Sequence, residues 1–193
     1  MKKSSIIILA AVAVIAVWAI GGYNGMVKSD ETVENAWANV QSDYQRRADL
    51  IPNLVNVVKG YAEHEKGTFE SVIEARAKAT QINLNVEDLS EENLAKFQAA
   101  QGELSSALNK LMAVAEAYPE LKANEQFMEL QSQLEGTENR IKESRNKFNA
   151  EVKEYNIKVR KFPNNILAGI FGFEKKNGFA AEAGAEKAPE VKF

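Results

Sequence analysis

Between Lys3 and Lys28 the chain carries no charged side chain, and from Ser4 to Gly22 it is almost wholly apolar (IIILAAVAVIAVWAI at its heart). A helix needs about 20 such residues to cross the hydrocarbon of a bilayer, and nothing else in a sequence constrains a fold so strongly. The run therefore reads as a transmembrane helix, with Ile6, Ile7, Ile8, Leu9, Val12, Val14, Ile15, Val17, Trp18 and Ile20 as its lipid-facing residues. A cleaved signal peptide would share the basic start, but its apolar core is shorter, roughly 7–15 residues. Ala19-Ile20-Gly21 is a weak cleavage site, Trp18 and Tyr23 sit where interfacial aromatics belong, and the helical pattern continues without a turn-rich break. A retained anchor is the stronger reading. Gly21-x-x-x-Gly25 has the spacing of a helix-dimerisation motif, yet it lies at the membrane exit, where glycines more often loosen a helix, and it leaves the oligomeric state open.

Basic residues are enriched on cytoplasmic flanks, and Lys2 and Lys3 precede the span while Lys28 alone follows closely. That bias predicts a single-pass protein of the cytoplasmic (inner) membrane with its soluble domain extracytoplasmic. Lys+Arg number 24 against 27 Asp+Glu, and without Lys2 and Lys3 the remainder stands at net −5. Nucleic acid is not an expected partner, because phosphate recognition needs a concentrated positive surface. The chain has no cysteine, which removes disulfides, thiolate metal sites and a cysteine nucleophile.

Beyond the span, apolar residues recur at helical spacing. Val33, Trp37, Val40 and Tyr44 form one stripe, and Leu54, Val57, Val58, Tyr61, Phe69, Val72 and Ile73 a second. Between them Asp49 reads as an N-cap and Pro52 as a first-turn residue, so the spacing predicts a turn near Ala48 separating helices over 23–48 and 49–79, with Gly60 and Gly67 weakening the second without ending it. If Pro52 only kinks the chain, the two merge into one rod. Ser90 caps a third helix over 91–118, whose Leu94, Phe97, Leu104, Leu108 and Leu111 follow a heptad interrupted by the polar Gln101. The fourth, over 123–162, begins at Asn124, ends at Pro163, and overshoots its neighbours: roughly 60 Å against 40–45 Å at about 1.5 Å per residue. The expected fold is all-α, an N-terminal transmembrane helix followed by an antiparallel four-helix bundle of long amphipathic helices. Its divisions would be an anchor over 1–26, a bundle domain over 27–173, and a flexible tail over 174–193 whose Lys, Glu, Ala and Gly bury little. Trp37, Tyr44, Leu54, Tyr61, Leu104, Leu108, Leu134, Ile141 and Phe148 should be buried together. Thr137 falls on the core stripe, so its hydroxyl needs a carbonyl in the preceding turn or a partner across the bundle.

Chemistry is scarce. The lone histidine, His64, stands in Glu63-His64-Glu65, where adjacent helical residues cannot meet one ion, and no Glu-x-x-His pair, phosphate-cradling glycine loop or nucleophile elbow accompanies it. No metal, cofactor or enzymatic activity is expected. The candidate interaction residues are Arg46, Arg47 and Asp49 beside the predicted turn, and Ile170 and Phe171 in the apolar segment Phe162 to Phe173. That segment carries more apolar surface than a short connection normally does, and an up-down-up-down bundle returns it to the membrane side; interfacial contact is the expectation, packing on the bundle the alternative.

The stretches Val33-Glu34-Asn35-Ala36-Trp37, Arg46-Arg47-Ala48-Asp49-Leu50-Ile51-Pro52-Asn53-Leu54-Val55 and Lys59-Gly60-Tyr61-Ala62-Glu63-His64-Glu65 resemble the LemA family of bacterial membrane proteins. So do Tyr118-Pro119-Glu120-Leu121-Lys122-Ala123-Asn124, Leu134-Glu135-Gly136-Thr137-Glu138-Asn139-Arg140-Ile141, Phe162-Pro163-Asn164-Asn165 and Pro189-Glu190-Val191-Lys192-Phe193, so that the resemblance covers nearly the whole chain in order. It implies one N-terminal span and a helical bundle, and carries over no catalytic residue or cofactor; one branch of the family is associated with magnetosome membrane formation. The leading functional expectation is a non-enzymatic scaffold or adaptor in the cell envelope, touching the lipid bilayer through its N-terminal helix and a protein partner through its polar faces. The alternative is an envelope enzyme, such as a hydrolase, using a polar cleft among Arg47, Asp49, Glu138 and Arg145.

Overall fold

The structure, a computed structural model, describes residues 3–180. Its helices are α1 (Lys3–Lys59), α2 (Lys66–Gln81), α3 (Glu91–Glu116), the single turn α4 (Pro119–Lys122), α5 (Glu125–Arg160) and α6 (Asn164–Phe171), with one 3-10 turn at Val86–Asp88. The fold is all-α, and α1 contains the one stretch, among the described residues, long and apolar enough to cross a membrane. From Ile6 to Ile20 its large aliphatic side chains are all more than half exposed, as a surface made for lipid would be.

The expected turn near Ala48 is absent: α1 runs through Pro52 as a single helix of 57 residues, and Asp49 lies inside it rather than capping a new one. A proline in a helix leaves the carbonyl four residues earlier without its N–H donor. Here that carbonyl belongs to Ala48, and the Arg76 Nε–H of α2 donates to it at 2.8 Å. The side chain of a neighbouring helix thus supplies the donor that the proline lacks, and the rod survives. The true reversal comes at Gly60, where the Tyr61 and Ala62 N–H groups both fold back onto the Val58 carbonyl.

Continuity of α1 also accounts for the length of α5. The two lie antiparallel, with Lys158 Nζ donating to the Gly25 carbonyl (3.0 Å), the Trp37 and Phe148 rings 5.3 Å apart, and Arg47 bonded to Glu138 (3.0 Å). The 36 residues of α5 therefore match the part of α1 beyond the apolar run, and the overshoot disappears. The shorter pair, α2 and α3, packs antiparallel beside them, with Lys78 and Glu103 3.8 Å apart across the pair. Ser90 and Asn124 cap α3 and α5 through their side chains, accepting from the Asn93 and Phe127 N–H groups. Thr137 donates to the Gln133 carbonyl at 2.7 Å, within its own helix.

The core is not continuous. One cluster, nearer the apolar span, holds Trp37, Tyr44, Phe97, Ile141 and Phe148; a distal one holds Leu54, Leu104, Leu108 and Phe127. Tyr61, expected in the core, is 40% exposed because α1 ends two residues before it, and its hydroxyl instead accepts from Asn124. Leu134 lies at the edge of the distal cluster, only partly buried.

Of the tail expected to be flexible, residues 174–180 lie along α5, while 181–193 fall outside the described residues. Two asparagines seven apart on α5 hold this strap. Asn156 accepts from the Lys176 N–H (2.9 Å) and donates to its carbonyl (2.8 Å), and Asn149 does the same for Phe179 (2.8 and 3.1 Å). Each side-chain amide mimics a neighbouring strand. Phe179 is thereby delivered into the Trp37 cluster, 7% exposed, and a Cβ at Gly178 would stand 2.6 Å from Asn149 Oδ1, so a side chain there would displace the amide that holds the strap. The strap also encloses Tyr155, whose phenol burial pushes up to about 12, with the Asp30 and Glu174 carboxylates adding to the effect.

The role of Arg76 is testable. A hydrogen bond from a charged donor is worth about 1.5–3 kcal/mol, so Arg76→Ala should lower unfolding free energy by that order. In a Pro52→Ala background the Ala48 carbonyl regains its own helical donor, and the same substitution should then cost clearly less. Equal costs in the two backgrounds, read from urea unfolding, would disconnect the arginine from the proline.

Candidate functional site

A polar layer separates the two core clusters, and its members follow from the helical repeat. Arg47 lies between the Tyr44 and Ile51 layers of α1, Gln101 between Phe97 and Leu104 of α3, and Glu138 just before Ile141 of α5. Where these helices pack, the three side chains meet. The Arg47 guanidinium donates through Nη1 to Ser105 Oγ (2.9 Å) and Glu138 Oε2 (3.0 Å), and through Nη2 to Gln101 Oε1 (2.5 Å) and the Gln101 carbonyl (3.4 Å). The Gln101 amide passes the connection on to the Ala79 carbonyl at the end of α2 (3.4 Å), so one arginine ties together all four long arms of the bundle. The Tyr44 ring lies 5.1 Å from the guanidinium carbon, within cation–π range.

Burial in the layer is asymmetric. The Arg47 side chain is 3% exposed and Glu138 61%, so the cation is enclosed while its counter-ion faces water. Arg47 Nε is buried without a hydrogen-bond partner. Beyond Glu138 a cleft of about 370 Å³ opens between α3 and α5, with Arg47 and Ser105 at its floor and Leu108, Met112 and Leu134 on its walls. What the layer can do chemically is limited by the arginine itself. A guanidinium has no lone pair to accept a proton, so it cannot activate the Ser105 hydroxyl it holds. Its capacity is to fix an acceptor, whether Glu138 or an anion taking its place.

The residues singled out from sequence are dispersed. Arg47 joins the layer, but Arg46 and Asp49 are exposed, Asp49 accepting from Gln45 one turn away (2.7 Å). Of the imagined cleft among Arg47, Asp49, Glu138 and Arg145, only Arg47 and Glu138 meet; Arg145 instead stacks its guanidinium on the Phe179 ring, 4.7 Å from the centroid. Ile170 and Phe171 lie on α6, 68% and 53% exposed. Sequence reading missed Arg76, Asn149 and Asn156. The asparagine pair did leave a signal, since a seven-residue interval places both on one face of α5.

These features define a class: an all-α bundle protein whose first helix is also its candidate membrane span, with a buried arginine layer joining the bundle arms. The LemA family model matches residues 36–193, and the chain belongs to the LemA family. Among its relatives are "Magnetosome protein MamQ 2" of Paramagnetospirillum magneticum, 29% identical over 189 residues covering 89% of this chain and 69% of the relative. "Magnetosome protein MamQ" of Magnetospirillum gryphiswaldense is 28% identical, covering 81% and 64%. "Protein LemA" of Metamycoplasma hominis is 22% identical, covering 77% and 64%.

Proposed function

We propose that the protein is a non-enzymatic scaffold or adaptor, standing from the cytoplasmic membrane into the extracytoplasmic space and offering its distal end to other proteins. The observation that carries this reading is the uninterrupted α1. Because the candidate span and the first bundle arm are one helix, the bundle cannot swivel on a linker and stands as a post. From Gly21 to Lys59 the rise is roughly 60 Å. At the far end lie the turns 60–65 and 117–124, where Tyr61, Glu63 and His64 are exposed. Relatives named as magnetosome proteins support a role in assembly at a membrane, by analogy, and the Lys2/Lys3 bias supports the orientation.

The test is photo-crosslinking of the full-length protein in living cells from Glu63 and Glu120 at the far end. Discrete adducts are expected there, and none from a control position within the apolar run. No adduct above background from either distal position would count decisively against a scaffold. Protease added to spheroplasts should digest the bundle; protection until lysis would reverse the orientation.

A further inference from the structure

Helix α6 has two faces of opposite character. On one, Leu167 and Ala168 are buried against α1, and they can be so because Gly22 has no side chain: a Cβ there would stand 2.8 Å from Leu167 Cδ1. The Tyr23 ring packs on those of Phe171 (4.9 Å) and Phe173 (5.7 Å), which fixes α6 against the end of the apolar run, with Trp18 and Ala19 packed on the same cluster. The opposite face covers nothing among the described residues. Ile166 and Ile170, one turn apart on α6, are 52% and 68% exposed, Phe171 at the end of the helix is 53% exposed, and Phe162, in the turn that precedes the helix, is 76% exposed.

The position of this apolar face identifies what covers it. It is continuous with the lipid-facing surface of α1, since α6 docks on residues 18–23, where the uncharged run ends. A helix placed there lies at the edge of the hydrocarbon. The flanking charges sum to a positive fringe: Arg160 and Lys161 immediately precede the segment, Glu174 and Lys175 follow it, all four exposed, and the three cations line a groove on the bundle with residues of α3 and α5. Apolar residues below a basic fringe are the arrangement by which a helix lies in a bilayer interface and attracts anionic headgroups.

We propose that α6 is a second membrane attachment, lying in the interface of the leaflet from which the bundle emerges, with Phe162, Ile166, Ile170 and Phe171 among the acyl chains and Arg160, Lys161 and Lys175 at the lipid phosphates. A single transmembrane helix is free to tilt and to rotate about its axis. A second contact beside it removes both freedoms and sets the direction in which the bundle faces.

The chain has no native cysteine, so one introduced thiol reports one position. The full-length protein carrying Ile170→Cys is spin-labelled and reconstituted in vesicles of phosphatidylcholine and phosphatidylglycerol, and label depth is read from relaxation by oxygen against a water-soluble nickel chelate. The label should lie roughly 5–10 Å below the phosphates, whereas the same label at Glu120→Cys on the distal end should be fully open to nickel. Adding Ile166→Asp, an exposed position whose change leaves the bundle packing intact, should lift the label at 170 out to nickel. A label at 170 as open to nickel as the distal one overturns the proposal. So does dipolar broadening between labels, which would put a second copy of the chain on this face, and so does an unchanged depth in the Ile166→Asp protein.

Discussion

Trp37→Ala is expected to lower the unfolding free energy by about 3–5 kcal/mol, the cost usual for deleting a large aromatic from a packed interior. Trp37 is 2% exposed, with the rings of Phe97, Phe148 and Phe179 at 5.7, 5.3 and 5.8 Å. Those three rings come from α3, α5 and the strap, so the cavity would open where three segments meet and none can collapse into it alone. The indole N–H also donates to the Leu84 carbonyl at 2.8 Å, anchoring the extended link between α2 and α3. Gln41 Nε2 donates to the same carbonyl at 2.9 Å, so loss of the indole does not strand it. Most of the expected cost is therefore packing, and Trp37→Phe should recover the larger part. Urea unfolding followed by far-ultraviolet circular dichroism measures both. A loss below about 1 kcal/mol for the alanine variant would be that of a surface substitution and would remove Trp37 from the core.

Periodicity made the helices legible, and caps made their starts legible. Heptad spacing with Ser90 and Asn124 placed α3 and α5 within a few residues of where they lie. Pro52 misled for a definable reason. A proline breaks a helix when its orphaned carbonyl has no other donor, and the donor here is Arg76, 24 residues on and in another helix. Local pattern cannot contain that information. The strap was illegible for the complementary reason: a segment poor in apolar residues buries one, Phe179, and is held by asparagines on α5. Its composition is that of a flexible chain; its order comes from the surface it lies on. Gln101 stood out in the heptad as a polar intrusion, and Arg47 stood out beside the proline. That they bond to each other depends on how α1 and α3 face one another across the bundle, which no local pattern in either helix contains.

Arg47→Ala should cost about 2–4 kcal/mol, and its partners should not cost the same. Removing the arginine leaves the Gln101 amide oxygen buried without its donor, worth roughly 1–3 kcal/mol, and empties the space the side chain filled. Glu138, at 61% exposure, simply hydrates. In Glu138→Ala the guanidinium keeps Ser105, Gln101 and the Tyr44 ring, and water entering from the adjoining cleft replaces the carboxylate, so a loss of only about 1 kcal/mol is expected, nearer to that of a surface ion pair. An apolar replacement of the whole layer should behave differently again. Buried ionic groups can often be exchanged for hydrophobic ones of similar volume without loss of stability, because the desolvation they no longer suffer offsets the hydrogen bonds they no longer make. Arg47→Met with Gln101→Leu should therefore unfold at or above the wild-type urea concentration, while Arg47→Met alone stays destabilised by the stranded Gln101. What the double variant should lose is uniqueness of alignment. With the layer gone, nothing polar fixes how the apolar stripes of α1 and α5 align, and spin labels on α1 and α5 that give one narrow distance in the wild type should give a broad distribution. A neutral Arg47→Ala, or a double variant with an unchanged narrow distance, would mean that the arginine layer does not set how the arms of the bundle align.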